Sequence, residues 1–165
     1  MPVTPLHIGI PGLISFYYPK RVDILSAVIG SVIIDLDFIL FLLIGTPIHG
    51  YLHTFLGATI ISIFIIIILK LSQKQTIKIK KWFKWEGKSN LKSISIGAFI
   101  GTYSHIILDS LIYNEINPFY PIEGNPLYLE NGQDVIFVTI YVIALITTIM
   151  LIALYSWKYI KNNYK

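Results

Sequence analysis

The sequence GTYSHIILDS at 101–110 lies within an apolar run and sets His105 and Asp109 four positions apart. On a helix both project from one face, one turn apart. An imidazole and a carboxylate inside a hydrophobic segment are costly unless they pair or ligate a metal. His49 and His53 repeat the spacing at the mouth of another apolar stretch, which predicts two imidazoles on one helical face suited to chelating one ion. A third stretch carries Asp35 and Asp37. They stand roughly 200° apart around a regular helix, so both cannot face one point. Either one ligates while the other orients a histidine, or the helix breaks locally. His7 is a further ligand candidate, which completes a set of His7, Asp35, Asp37, His49, His53, His105 and Asp109, enough for one complete site or for two ions.

The chain contains no cysteine, so thiolate sites and disulfides are excluded and any ion is held by His, Asp or Glu. That donor set points to a divalent metal, zinc ahead of manganese or iron. Such an ion lowers the pKa of bound water and makes hydroxide available near neutral pH. Asp37 or Asp35, whichever lies outside the coordination shell, is then the carboxylate that takes the proton.

The elements that must position these residues are membrane spans. Of 165 residues 55% are hydrophobic and only 13% charged, against about a quarter charged in soluble domains. Mean hydropathy is +0.68. The composition predicts an all-α, polytopic integral membrane bundle forming one domain over 1–165, with spans at about 24–44, 52–71, 94–113 and 135–157. Residues 5–18 are apolar but too short to span and are interrupted at Pro11-Gly12, so they read as an N-terminal half-span or interfacial helix. No basic residue precedes that stretch, which argues against a cleaved leader. The last span has no ionisable side chain before Lys158 and reads as packing.

Charge orients the bundle. Eight lysines fall between Lys70 and Lys92, mostly in the polar loop 72–93. Lys158, Lys161 and Lys165 lie in the tail, and Lys20 and Arg21 in the N-terminal turn. With four alternating spans all thirteen share one side, which the positive-inside rule makes cytoplasmic. Loop 114–134 holds Glu115, Glu123, Glu130 and Asp134 with no Lys or Arg, and falls on the extracytoplasmic side. The four histidines and Asp35, Asp37 and Asp109 then converge on one layer toward that side. Tyr17, Tyr18, Trp82, Trp85 and Trp157 read as interfacial anchors. The basic, aromatic KIKKWFKWEGK suits anionic headgroups rather than nucleic acid.

These pieces resemble the YdjM-like membrane-bound metal-dependent hydrolases. The likeness rests on His7 with Gly9, the Asp35/Asp37 pair, His49–His53–Thr54, GTYSHIILDSL, and Pro118-Phe119-Tyr120-Pro121, and covers most of the chain to about residue 128. It implies a multi-span helical membrane protein with a metal site built from these His and Asp residues, and hydrolytic activity. The reading is a cell-membrane hydrolase whose metal-activated water attacks an ester, phosphoester or amide of a lipid or envelope small molecule at the outer leaflet. Loop 114–134 is expected to cover the site and shape its pocket. Two other classes are a non-catalytic membrane protein with a structural metal or polar network, and a metal or proton transporter. A transporter needs polar residues through the full depth, whereas Ile61–Leu69 and Ile94–Ile100 offer only serines.

Overall fold

A computed structural model describes residues 4–87 and 89–163; Lys88 and Lys165, two of the basic residues used for orientation, lie outside them. Every regular element among the described residues is helical. A 3₁₀ turn (Thr4–Ile8) leads into α1 (Gly9–Tyr17), followed by α2 (Ile24–Ile33) and α3 (Leu36–Ile44). A second 3₁₀ turn (Tyr51–His53) precedes α4 (Phe55–Leu71) and α5 (Gln73–Trp82). Helices α6 (Leu91–Ser110) and α7 (Gln133–Asn163) complete the chain. Among the described residues three stretches, Ile24–Ile44, Leu91–Ser110 and Gln133–Lys161, are long and apolar enough to cross a membrane; α4 with α5 makes a fourth if that bent pair counts as one span. The protein is therefore a helical membrane bundle, with the short α1 packed beside α2 and α7.

Local chemistry sets the boundaries. Asp23 caps α2 by accepting from Ser26 N–H at 3.0 Å. Thr54 caps α4 through Gly57 N–H at 2.8 Å. Asn90 and Ser93 cap α6 reciprocally, each side chain accepting from the other's backbone N–H. Gly45, at φ 70°, ends α3 in the left-handed conformation that glycine adopts without penalty. Pro11 does not interrupt α1, because it falls in the first turn, where a missing N–H costs no helical bond.

The tightest pairing is α2 against α6. Ser26, Ala27, Gly30 and Ser31 face Gly97, Ala98, Gly101 and Thr102, and all eight are buried. A Cβ on Gly30 would sit 2.8 Å from Ala98 O, so the two backbones meet because neither carries bulk there. Small residues at the interface are how helices associate where lipid removes the hydrophobic drive. Ile65 and Leu69 of α4 pack on Ile94 and Ala98 of α6 to extend the core.

Residues 72–93 are not simply a loop. Helix α5 turns 86° from α4 at Ser72 and carries Lys74, Lys78 and Lys81 on its exposed surface. One lysine of this segment turns inward. Lys80 Nζ lies 2.7 Å from Asp23 Oδ2 and also donates to Ser89 Oγ (2.9 Å) and Gly87 O (3.2 Å). This buried pair ties α5 to the start of α2. Both residues look like surface charges in the sequence, and their partnership spans 57 positions.

Candidate metal centre

The centre forms where α2 stops being regular. Backbone bonds run Asp35 N–H to Val32 O (3.2 Å), Asp37 N–H to Ile34 O (3.3 Å) and Phe38 N–H to Asp35 O (3.0 Å), a tight i to i+3 pattern between α2 and α3. The break resolves the angular conflict between the two aspartates. Asp35 turns toward α6, and Asp37 sits behind His53.

His53 lies in the 3₁₀ turn just before α4, and His49 in the loop before that turn. The expected pair of imidazoles on one helical face is thus not formed. Gly50 and the cap at Thr54 delay the helix until Phe55. His53 is instead fixed by Asp37, whose Oδ2 accepts from His53 Nδ1 (2.9 Å), His53 N–H (3.2 Å) and Leu52 N–H (3.1 Å). His105 is held in the same manner, with Nδ1 donating to Ser31 O at 2.7 Å. A bond on Nδ1 fixes each ring's orientation and leaves Nε2 as the atom offered to an ion, the usual arrangement behind metal-binding imidazoles.

Both Nε2 atoms converge on two carboxylates. Asp109 Oδ2 is 3.3 Å from His105 Nε2 and 3.6 Å from His53 Nε2. Asp35 Oδ1 is 3.4 Å from His105 Nε2 and 3.8 Å from His53 Nε2. One ligand atom from each of the four residues lies within 4.8 Å of all the others. His53, His105 and Asp109 are buried, yet both Nε2 atoms and both Asp109 oxygens lack a hydrogen-bond partner among the described residues. Orphaned polar atoms at such depth are costly. Their spacing fits a divalent ion: tetrahedral ligands with bonds of about 2.1 Å stand about 3.4 Å apart.

The other predicted residues surround these four. His7 is buried and stacks on His105 with ring centroids 4.0 Å apart, its Nε2 3.4 Å from Asp109 Oδ1. It shares the cluster but lies outside the four-residue group. His49 packs edge-on against His53 at 4.9 Å and tilted by 33° against Tyr113 at 4.6 Å, and pairs through Nδ1 with Glu115 Oε1 at 3.0 Å. Burial, then the nearby His53, pushes the His49 pKa below its ordinary value despite Glu115. Beside it opens a cleft of about 270 Å³ lined by residues including His49, Tyr51, Thr54, Glu115, Asn117 and Tyr120.

Loop 114–134 contributes to that cleft through Glu115, Asn117 and Tyr120. It is anchored by Asn125 Nδ2 donating to Ser110 O (2.7 Å) and Tyr113 O (2.8 Å), and by Phe55 N–H donating to Pro118 O (2.8 Å). The sequence reading missed Ser31 as the support of His105 and Glu115 as the partner of His49. Ser31 had a usable signal, one helical turn before Asp35; Glu115 looked like one more acid of an acidic loop.

Neither a curated protein nor a solved structure matches the chain. A family model does, across residues 7–164, from the histidine stacked in the cluster to just past the end of α7. The chain belongs to the YdjM inner membrane protein family.

Proposed function

We propose that the protein is a membrane-embedded metal-dependent hydrolase acting on an ester, phosphoester or amide of a lipid or envelope molecule. The observation that carries this reading is the pair of Nδ1-anchored histidines aiming their Nε2 atoms at Asp35 and Asp109, next to an open cleft. Asp35, His53, His105 and Asp109 would hold the ion, with zinc the best match to two imidazoles and two carboxylates. When bound, a divalent ion supplies an acidified water and polarises a carbonyl or phosphoryl oxygen.

The chain's own residues do the rest. Asp37 and Ser31 O lock the two imidazoles, so the ligand atoms need no reorganisation to bind. With three hydrogen bonds converging on one of its oxygens, Asp37 is better suited to positioning His53 than to accepting a proton. His7 closes the inner wall over His105. His49 and Glu115 line the mouth, where a substrate headgroup enters. The acidic loop 114–134 and the basic α5 favour an extracytoplasmic centre by the positive-inside rule.

Elemental mass spectrometry on detergent-purified protein is the test, with wild type beside His105→Ala and Asp109→Ala. Stoichiometric metal in wild type, lost in both variants, together with metal-dependent cleavage of lipid esters, supports the proposal. Well-folded wild type that takes up no ion after reconstitution with zinc, manganese or iron overturns it.

A further inference from the structure

A second site lies at the opposite end of α6. Lys20 and Arg21 occupy the turn between α1 and α2, which is fixed by Arg21 N–H and Val22 N–H both donating to Tyr18 O at 2.9 Å. Facing them is the segment Asn90–Ser93. The two walls are joined, because Asp23 N–H donates to Ser93 O at 3.0 Å. Between them is a cleft of about 460 Å³ lined by Lys20, Arg21, Asn90, Lys92, Ser93 and Ile96.

The electrostatics of this cleft are one-sided. Asp23, the carboxylate beside it, is fully buried and already neutralised by Lys80 and by Ser89 Oγ, each at 2.7 Å. Lys20, Arg21 and Lys92 are exposed, and none of them forms an ion pair among the described residues. Three cations converge with no anion to balance them. Ile96 gives the cleft an apolar wall deeper along α6, while the exposed Tyr17 and Tyr18 line a separate cavity that shares Lys20 and Arg21 with it. Cations at the mouth and an apolar wall below them match the polarity gradient of a phospholipid at the membrane surface. The volume also exceeds what a lone phosphate ion would fill and lies in the range of small-molecule pockets.

We propose that this cleft binds the phosphate-bearing headgroup of an anionic phospholipid. The Arg21 guanidinium would take the phosphate through its two-pronged donor face, with Lys20 and Lys92 as flanking point charges. The site is independent of the metal centre and of the hydrolase reading.

Native mass spectrometry of detergent-solubilised full-length protein tests it, titrated with short-chain phosphatidylglycerol, phosphatidylcholine or inorganic phosphate. The variants are Arg21→Gln with Lys92→Gln in the cleft, and Lys74→Gln with Lys78→Gln on the exposed surface of α5 as an equal charge removal elsewhere. Lys20→Gln with Lys92→Gln repeats the cleft test with the guanidinium retained, and thermal unfolding verifies that each variant is folded. The expected result is one retained phosphatidylglycerol, weakened roughly 30-fold by either cleft pair and little changed by the α5 pair. Equal losses in the cleft and α5 variants would show diffuse attraction and overturn the site. Equal retention of phosphatidylcholine would overturn headgroup recognition. Displacement of the lipid by inorganic phosphate at matching concentration would make free phosphate the ligand and overturn the lipid assignment.

Discussion

Asp37 separates a supporting residue from a ligand, and its substitution gives a graded result. In Asp37→Asn the side chain keeps one oxygen, but the bond to His53 Nδ1 changes from charge-assisted to neutral. Charged hydrogen bonds contribute about 1.5–3 kcal/mol and neutral ones about 0.5–1.5, so the loss between midpoints is about 1.25 kcal/mol, or roughly eightfold in metal affinity. Asp37→Ala also strips the acceptor from Leu52 N–H and His53 N–H, bonds of 3.1 and 3.2 Å. Losses among supporting partners of metal ligands run from about 10- to 100-fold, and Ala is expected near the upper end. The assay is competition with a graded zinc chelator on purified protein, read by elemental analysis, beside His53→Ala. The expected order is wild type, then Asn, then Ala, then a His53→Ala protein without stoichiometric metal. If Asp37→Asn empties the site as completely as His53→Ala, Asp37 is itself a ligand. If both Asp37 variants bind as wild type, the carboxylate does not orient His53 and the positioning argument fails.

Three further outcomes follow from the geometry. His49→Ala is expected to keep stoichiometric metal while His53→Ala loses it, because His49 bonds Glu115 and stands outside the four-residue group; elemental analysis of the two proteins side by side decides this. Lys80→Ala leaves Asp23 as an unpaired charge with no exposed surface, so a loss of about 3–5 kcal/mol is expected in thermal or denaturant unfolding in detergent; a change below about 1 kcal/mol would refute the buried-pair account. The absence of native cysteine makes topology directly measurable. A cysteine placed at Lys74 is expected to be shielded from an impermeant maleimide in intact cells, and one placed at Glu123 to react; the reverse pattern would invert the assigned orientation.

A transport role meets an obstacle in the bundle's other half. Between the candidate metal centre and the basic end, the buried α2, α4 and α6 interfaces offer small hydroxyls such as the Ser62–Thr102 pair at 2.8 Å. Neither imidazole nor carboxylate continues from the cluster along these interfaces until Asp23, which Lys80 holds. A relay for protons or metal ions would need ionisable groups spaced through that depth.

The sequence alone was enough for the class of protein and for picking out the residues that cluster. Long apolar runs interrupted by few charges leave little alternative to membrane helices, because an unsatisfied backbone in lipid is too costly. Histidines and aspartates within such runs stand out for the same reason, and Asp35, His53, His105 and Asp109 do meet in one place. What periodicity could not show was the role of each. His49 and His53 share a helical spacing, yet glycine and a threonine cap put both before the helix, so one enters the cluster and the other bonds Glu115. Asp35 and Asp37 are equivalent in the sequence, and only the break between α2 and α3 assigns one to the centre and the other to the back of His53. Ser31 O and Lys80 acquire their functions from partners 74 and 57 residues away. Contacts across such separations depend on how closely two helices approach. Here Gly30 and Gly101 allow that approach, and the tertiary structure alone reveals it.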